Sequence, residues 1–378
     1  MKRISVYVEN AHLTPSAYYR LTQYFCPRES VIPGVRMHSA LPNCIYRLWH
    51  SQGSFGRRFL SMPMYLLYVV NTWFFLLEDI VSMHDGVIII SRAIVPRQMP
   101  ALHKYLLCRL AGKNKLIWDF DDNILDNRRT SPSDFRFFSK HSDIIVVTSD
   151  FLKSLIDPQF AGKVIILPTI DGTMLGYDRK ETFLKRQKLY WHEIRLVWVA
   201  TDSGLPYLSP LIPTLDETAK TLEKETGRKL SLHVVCNKPL RAEASHLEIH
   251  NIRWEREVAK NEILSAHIGI MPLPDNNFTR GKGGFKLIQY MSAAMPVIAS
   301  AVGFNNRVVT EDIGFLIREG SQEGTWNEAI LKLSSDWDYY YGLSLNAKKR
   351  FDEHFPYAKN KAFWMDVTGQ TIINTPQA

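Results

Sequence analysis

Arg280-Gly281-Lys282-Gly283-Gly284-Phe285-Lys286-Leu287-Ile288-Gln289-Tyr290-Met291 is the stretch on which the reading of this chain turns. Phe285, Ile288 and Met291, with Leu287 alongside, recur at the spacing of one helix face. The glycines ahead of them let backbone approach a ligand closely, and the first N–H groups of a helix lack partners within it. A helix start of this kind attracts anions. Arg280, Lys282 and Lys286 crowd three cations there, although each exposed cation opposes the helix dipole by about 0.3–1 kcal/mol. Such crowding makes sense where a polyanion binds. By spacing alone, a solvated basic loop before an amphipathic helix reads the same.

Outward from this stretch, short β-branched runs alternate with helical patterns, which is the mark of α/β architecture. In the first half the strand candidates are Ile4–Val8, Gly86–Ile90, Leu116–Trp118, Ile144–Thr148 and Val164–Leu167, separated by helical patterns at Ala17–Phe25, Tyr65–Val81 and Arg97–Leu110. A second series runs through Ile194–Ala200, Leu230–Cys236, Leu247–Ile249, Ile268–Met271, Val297–Ala299 and Gly314–Ile317. These runs are apolar without clean alternation, so both faces of each sheet should be covered by helices. The expected division is a first domain at 1–175, a polar linker at 176–193, a second domain at 194–355, and a C-terminal helix at 356–378 crossing back to the first domain. Pro356 should break the helical pattern that starts at Trp326.

With 378 residues, 46% hydrophobic and 22% charged, the chain has room for two globular cores. The opening residues are charged like a signal peptide, but the apolar run stops at Glu9 and reads as a buried strand. The apolar stretch Met64 to Leu77 is shorter than the roughly 20 residues that span a bilayer, so it reads as a core helix ahead of a membrane-surface helix. Cys26, Cys44, Cys108 and Cys236 form no metal-spaced pair, which fits a reducing, cytoplasmic setting. A net charge of +8 attracts phosphates of every kind. No GxSxG elbow and no GxGxxG after the first strand are present, which argues against a serine hydrolase and a dinucleotide enzyme. The cations are spread among acids, against a nucleic-acid-binding face.

The run from Lys282 to Ser300, which ends in Met295-Pro296-Val297-Ile298-Ala299-Ser300, resembles the donor-site signature of retaining glycosyltransferases of the GT-B fold, and more narrowly the bacterial family four. Looser similarity extends over residues 4 to 365, including Ile117-Trp118-Asp119-Phe120-Asp121-Asp122-Asn123 and Val164-Ile165-Ile166-Leu167-Pro168. The resemblance implies two doubly wound, Rossmann-like domains facing across a cleft. It further implies a nucleoside-diphosphate sugar as donor, no metal and no other cofactor, and retention at the transferred carbon. Arg280, Lys282, Gly283, Gly284 and Lys286 would hold the donor diphosphate, with Thr201 and Ser203 on the loop after the first strand of the second domain. Leu247–Ile252 falls where base contacts are common. The family's two glutamates, eight residues apart, fall on Gly281 and Gln289. Gln289 can still bond a ribose hydroxyl; Gly281 cannot replace its glutamate.

On the acceptor side, His12 and Ser16 follow the first strand, and Asp121 or Asp122 could orient or deprotonate the acceptor hydroxyl. Capping of a helix by Asp121, Asp122 or Asn123 is the plain alternative. Asp119-Phe120-Asp121 also has the spacing of a metal-binding DxD. The expected role is in bacterial surface polysaccharide or glycoconjugate assembly, on a glycan or lipid-linked acceptor. The basic, aromatic stretch Phe183–Trp191 would suit an anionic membrane, making the protein cytoplasmic and peripheral on the inner face of the plasma membrane. The competing functions are a sugar-nucleotide 2-epimerase and a non-catalytic binding or scaffold protein.

Overall fold

The computed structural model describes residues 2–27, 31–51 and 54–370. Two six-stranded sheets, every pairing parallel, form its two halves. The first contains β1 Ile4–Val8, β2 Val35–Ser39, β3 Val87–Ser91, β4 Lys115–Phe120, β5 Ile144–Val147 and β6 Val164–Ile166, in the order β2-β1-β3-β4-β5-β6. The second contains β7 Glu193–Val199, β8 Lys229–Cys236, β9 Glu248–Arg253, β10 Ile268–Met271, β11 Val297–Ser300 and β12 Gly314–Ile317, in the order β12-β11-β10-β7-β8-β9. The order reverses between β1 and β3 in one sheet and between β7 and β10 in the other. Such switch points leave crevices at the carboxyl ends of parallel strands.

The strand centres are runs such as Val87-Ile88-Ile89-Ile90, buried on both faces. The sequence reading misses only β2, because Val-Arg-Met-His-Ser at a sheet edge is polar and half-exposed. Helices used below are α1 Asn43–Ser51, α2 Ser54–Ser82, α3 Ala101–Ala111, α4 Arg179–Tyr190, α5 Phe285–Ser292 and α6 Tyr357–Thr368. Between β1 and β2, Tyr18–Thr22 forms a π-turn between two short α-helical pieces, so the pattern Ala17–Phe25 is helical but irregular.

Two expectations need revision. Residues 179–190, expected within a linker, form α4, whose first turn is capped by the Asp178 carboxylate accepting from Glu181 N–H at 2.9 Å. Its Arg186 is fully buried and donates to the carbonyls of Ala293, Ala294, Leu264 and Ile263 at 2.8–3.1 Å. The expected surface stretch Phe183–Trp191 is therefore two-faced: Phe183, Arg186 and Tyr190 pack inward, and Leu184, Lys185 and Trp191 remain exposed. A guanidinium can be buried where carbonyls meet its fork of donors, and counting charge in sequence does not foresee that.

At the other end, Pro356 precedes α6, which returns to the first sheet. Trp364 and Met365 join the cluster of Ile4, Val6, Leu21 and Phe25, and Asn360 donates to the Pro168 carbonyl at 2.7 Å. Residues 371–378 of the expected C-terminal segment lie outside the described residues.

Candidate active site

The loops at both switch points meet. Leu13, Pro15 and Tyr19 after β1, Tyr46 and His50 of α1, Ala200–Ser203 after β7, and Lys286 and Gln289 of α5 line one pocket of about 420 Å³ between the halves. Gly284, at φ +63°, caps the start of α5 without a side-chain bond. A residue with a Cβ is strained in that left-handed conformation, and the N–H groups of the first turn have no partner within the helix.

Of the three cations expected to hold a diphosphate, Lys286 alone lines this pocket. Burial, then repulsion by Lys282, pulls its ammonium down to about 8, against a smaller pull upward from Asp122. Among the described residues it makes no salt bridge. Lys282 reaches across to the first half, 3.0 Å from Asp122 Oδ1, with its ammonium 4.2 Å from the Phe278 ring centre. Arg280 points elsewhere, into a half-exposed bidentate pair with Asp275 at 2.6 and 3.0 Å.

Both departures at the glutamate positions have a local cause. A Cβ at Gly281 would sit 2.8 Å from Asn123 Cβ and 3.0 Å from its backbone nitrogen, so the closed cleft leaves no room for a side chain there. Gln289 Nε2 donates to Asp171 Oδ2 at 2.6 Å, and both side chains are buried. A glutamate at 289 would set two carboxylates against each other. At an effective dielectric of about 20 and about 4 Å that repulsion is worth about 4 kcal/mol. The carboxylate is thus still beside this position, but it belongs to Asp171. Burial raises its proton affinity, opposed by hydrogen bonds from Thr173 and Gln289. Nothing in the sequence pattern around 171 points to this pair.

Across the cleft, Asp119, Asp121 and Asp122 all have cationic partners. Arg20 forks onto both oxygens of Asp119 at 2.5–2.9 Å at the carboxyl end of β4. Burial raises the Asp119 carboxyl, and Arg20 offsets part of that shift. Arg92 bridges Asp121 and Asp122 at 2.7 and 2.9 Å. Burial acts upward on the Asp122 carboxyl, but Lys282 and Arg92 together hold it well below the usual carboxylate range. Asp119 and Asp121 of the DxD spacing therefore answer to different arginines. Asp122, a candidate for deprotonating an acceptor, is a weak base in this setting. Arg92 has no motif around it, and sequence reading passed over it.

The remaining candidates divide. Thr201 and Ser203 line the pocket with their hydroxyls 2.9 Å apart. Gly283 packs on Thr148 of the first half. His12 is exposed in a neighbouring cavity, where its carbonyl accepts from Arg256 at 3.3 Å, and Ser16 is buried away from both spaces. Leu247–Ile252 spans edge strand β9. Tyr19, packed against Phe285 with the rings tilted by 43° and their centroids 4.8 Å apart, and Trp254 complete an aromatic lining that the sequence does not single out.

Residues 211–336 match the family described as glycosyl transferases group 1. Solved structures share the architecture over nearly the whole chain. HepE of Anabaena, in complex with UDP and glucose, superposes with a TM-score of 0.61 at 10% identity, over 98% of this chain and 100% of that one. A glycosyltransferase from Rickettsia africae gives 0.62 at 12% identity, over 99% and 100%. WaaG, a glycosyltransferase involved in lipopolysaccharide biosynthesis, gives 0.51 at 13% identity, over 80% and 96%. No curated protein matches the chain by sequence. The fold is GT-B, two Rossmann-like domains with parallel sheets, as the donor-site resemblance implies.

Proposed function

We propose that this GT-B chain is a glycosyltransferase that moves a sugar from a nucleoside-diphosphate sugar to an acceptor hydroxyl, with retention, in the assembly of a bacterial surface glycan. One observation carries the reading: Lys286, part-buried and in no salt bridge among the described residues, stands in the first turn of α5 in a pocket where two switch points meet. A diphosphate supplies the missing negative charge. HepE, which shares the fold, is seen with UDP and glucose, and WaaG acts in lipopolysaccharide biosynthesis.

In the transfer, the bond from the anomeric carbon to the diphosphate oxygen breaks, and the electron pair leaves with the phosphate. Lys286 and the α5 N–H groups meet that growing charge as donors already fixed in place by the helix. They fill the role that a divalent cation takes in metal-dependent transferases. The acceptor oxygen bonds the anomeric carbon and gives up its proton. Asp121 and Asp122 are ion-paired, and a terminal phosphate with a second pKa of about 6 is the more basic acceptor for that proton. Arg280 has a supporting place at most, while Thr201, Ser203 and the Gln289–Asp171 pair shape the donor side.

A thermal-shift series over nucleoside diphosphates and their sugars tests the donor site, since a bound ligand raises apparent stability. A rise with one nucleotide, followed by sugar transfer to added acceptor, is the expected result. No rise with any nucleotide would sink the proposal. Conversion of donor without acceptor would instead identify an epimerase.

A further inference from the structure

Among the described residues, the outer face of α2 is an apolar surface that the fold leaves uncovered. Residues Phe59–Ser82 are long and apolar enough to cross a membrane, with a mean hydropathy of 1.5, yet only 17% of the most apolar window is buried. Phe59, Met62, Leu66, Val70, Phe74 and Val81 are exposed by 47% or more and recur every three or four residues, apart from one seven-residue step, so they share a stripe about 33 Å long. Contiguous exposed apolar surface on this scale marks a contact site.

The opposite face of α2 fixes how that contact can be made. Tyr68 donates to Glu9 at 2.6 Å, Thr72 lies 3.1 Å from His103 Nε2, and Asp79 accepts from Tyr7 at 2.6 Å, all tying the helix to the first sheet and to α3. A helix held along its length this way cannot leave to span a bilayer. It can lie in the plane of an interface with its outer side chains among the acyl chains.

Charge selects the occupant. From residue 42 to residue 85 the chain has Arg47, Arg57 and Arg58, and its three acidic residues, Glu78, Asp79 and Asp85, all come at the end of that span. No acidic residue occurs from 42 to 77, the span that includes α1 and most of α2. Asp79 is buried, and Glu78 pairs with Arg36 at 3.2 Å. An apolar stripe in a region this poor in carboxylates matches an anionic lipid surface, to which each nearby Lys or Arg adds attraction. A second copy would instead bring like-charged surroundings together. Just before α2 comes α1, whose Tyr46 and His50 line the cleft and whose Leu48 is exposed.

We propose that the outer face of α2 lies flat on an anionic bilayer and holds the mouth of the cleft at the lipid surface. Transfer activity plays no part in this inference. The test is co-sedimentation of the full chain at low salt with vesicles of phosphatidylcholine and phosphatidylglycerol at 3:1, and with phosphatidylcholine alone. Binding to the anionic vesicles should fall about tenfold or more in the triple variant Leu66→Glu, Val70→Glu, Phe74→Glu. Wild-type binding should weaken several-fold on the neutral vesicles. Should the triple variant lose its cooperative melt, Phe59→Glu with Met62→Glu, at two more exposed positions, gives the same reading. Wild-type protein that stays in the supernatant, or variants that bind as tightly as wild type, would overturn the proposal. So would light scattering that shows a dimer which the substitutions convert to monomer.

Discussion

The two edges of the cleft are charged in opposite styles. On the first domain, the side chains at the strand ends form closed pairs: Arg20 with Asp119, Arg92 with Asp121 and Asp122, Arg129 with Glu9. On the second domain, Lys286 stands in the pocket with no such partner among the described residues, its charged form disfavoured by burial. A surface whose charges are already satisfied holds its shape and gains little from an ionic ligand. A part-buried cation that makes no salt bridge gains more when an anion arrives. The difference separates a rim that shapes the site from one that binds.

Breaking the unpaired side should have the largest effect. Lys286→Ala should lower kcat/KM for transfer by about 100-fold or more, as loss of one preorganised donor to a developing oxyanion does, and circular dichroism should show an intact fold. The thermal upshift with nucleoside diphosphate should shrink with it. A variant with wild-type turnover would place the binding charge elsewhere.

Next come the buried partners at the former glutamate position. Gln289→Glu sets a second carboxylate against Asp171 and should cost a few kcal/mol, read as a lower denaturant midpoint. Adding Asp171→Asn restores one amide facing one carboxylate and should recover most of the loss. If the double change does no better than the single one, the pairing has been misread.

The pH profile tests the same lysine. The ordinary lysine value of 10.5 falls to about 8 in the folded chain, so between these values the unfolded chain binds more protons and stability rises with pH. Diphosphate binding needs the charged form, so affinity should fall as pH climbs above about 8, with proton uptake on binding seen by calorimetry in two buffers. Lys286→Arg should flatten that fall, because a guanidinium stays charged throughout.

The two cations of the second domain that already have carboxylate partners should respond less. Lys282→Ala removes one part-exposed bridge between the domains, worth about 0.5–1 kcal/mol, and should raise KM a few-fold with a small increase in radius of gyration by X-ray scattering. Arg280→Ala should change kcat/KM by less than about twofold, since its exposed pair with Asp275 contributes little.

Much of this was legible before any coordinates. β1 and β12 stand where their apolar runs begin and end, and Gly283-Gly284-Phe285-Lys286 is the helix start that its spacing implies. Those features depend on neighbours in sequence, where period and turn chemistry act. What was hidden depends on partners far along the chain. Arg186 looks like a surface cation until four carbonyls surround it. Arg280, Lys282 and Lys286 look equivalent until Asp275 and Asp122 claim the first two. Gln289 looks like a weakened glutamate until Asp171, 118 residues earlier, is beside it. In the sequence, α2 has the pattern of a core helix, because an apolar helix is most often buried. Only its surroundings show which side is.

The return of α6 to the first sheet has a consequence for how the protein is made. Trp364 fills a core whose other members, Ile4, Leu21 and Phe25, leave the ribosome first. About 190 residues separate Met174 from Trp364, so at roughly 5–20 residues per second the first domain waits about 10–40 s for its last piece. During that interval Phe25 and its neighbours lack their cover, and the second domain can fold ahead of the first.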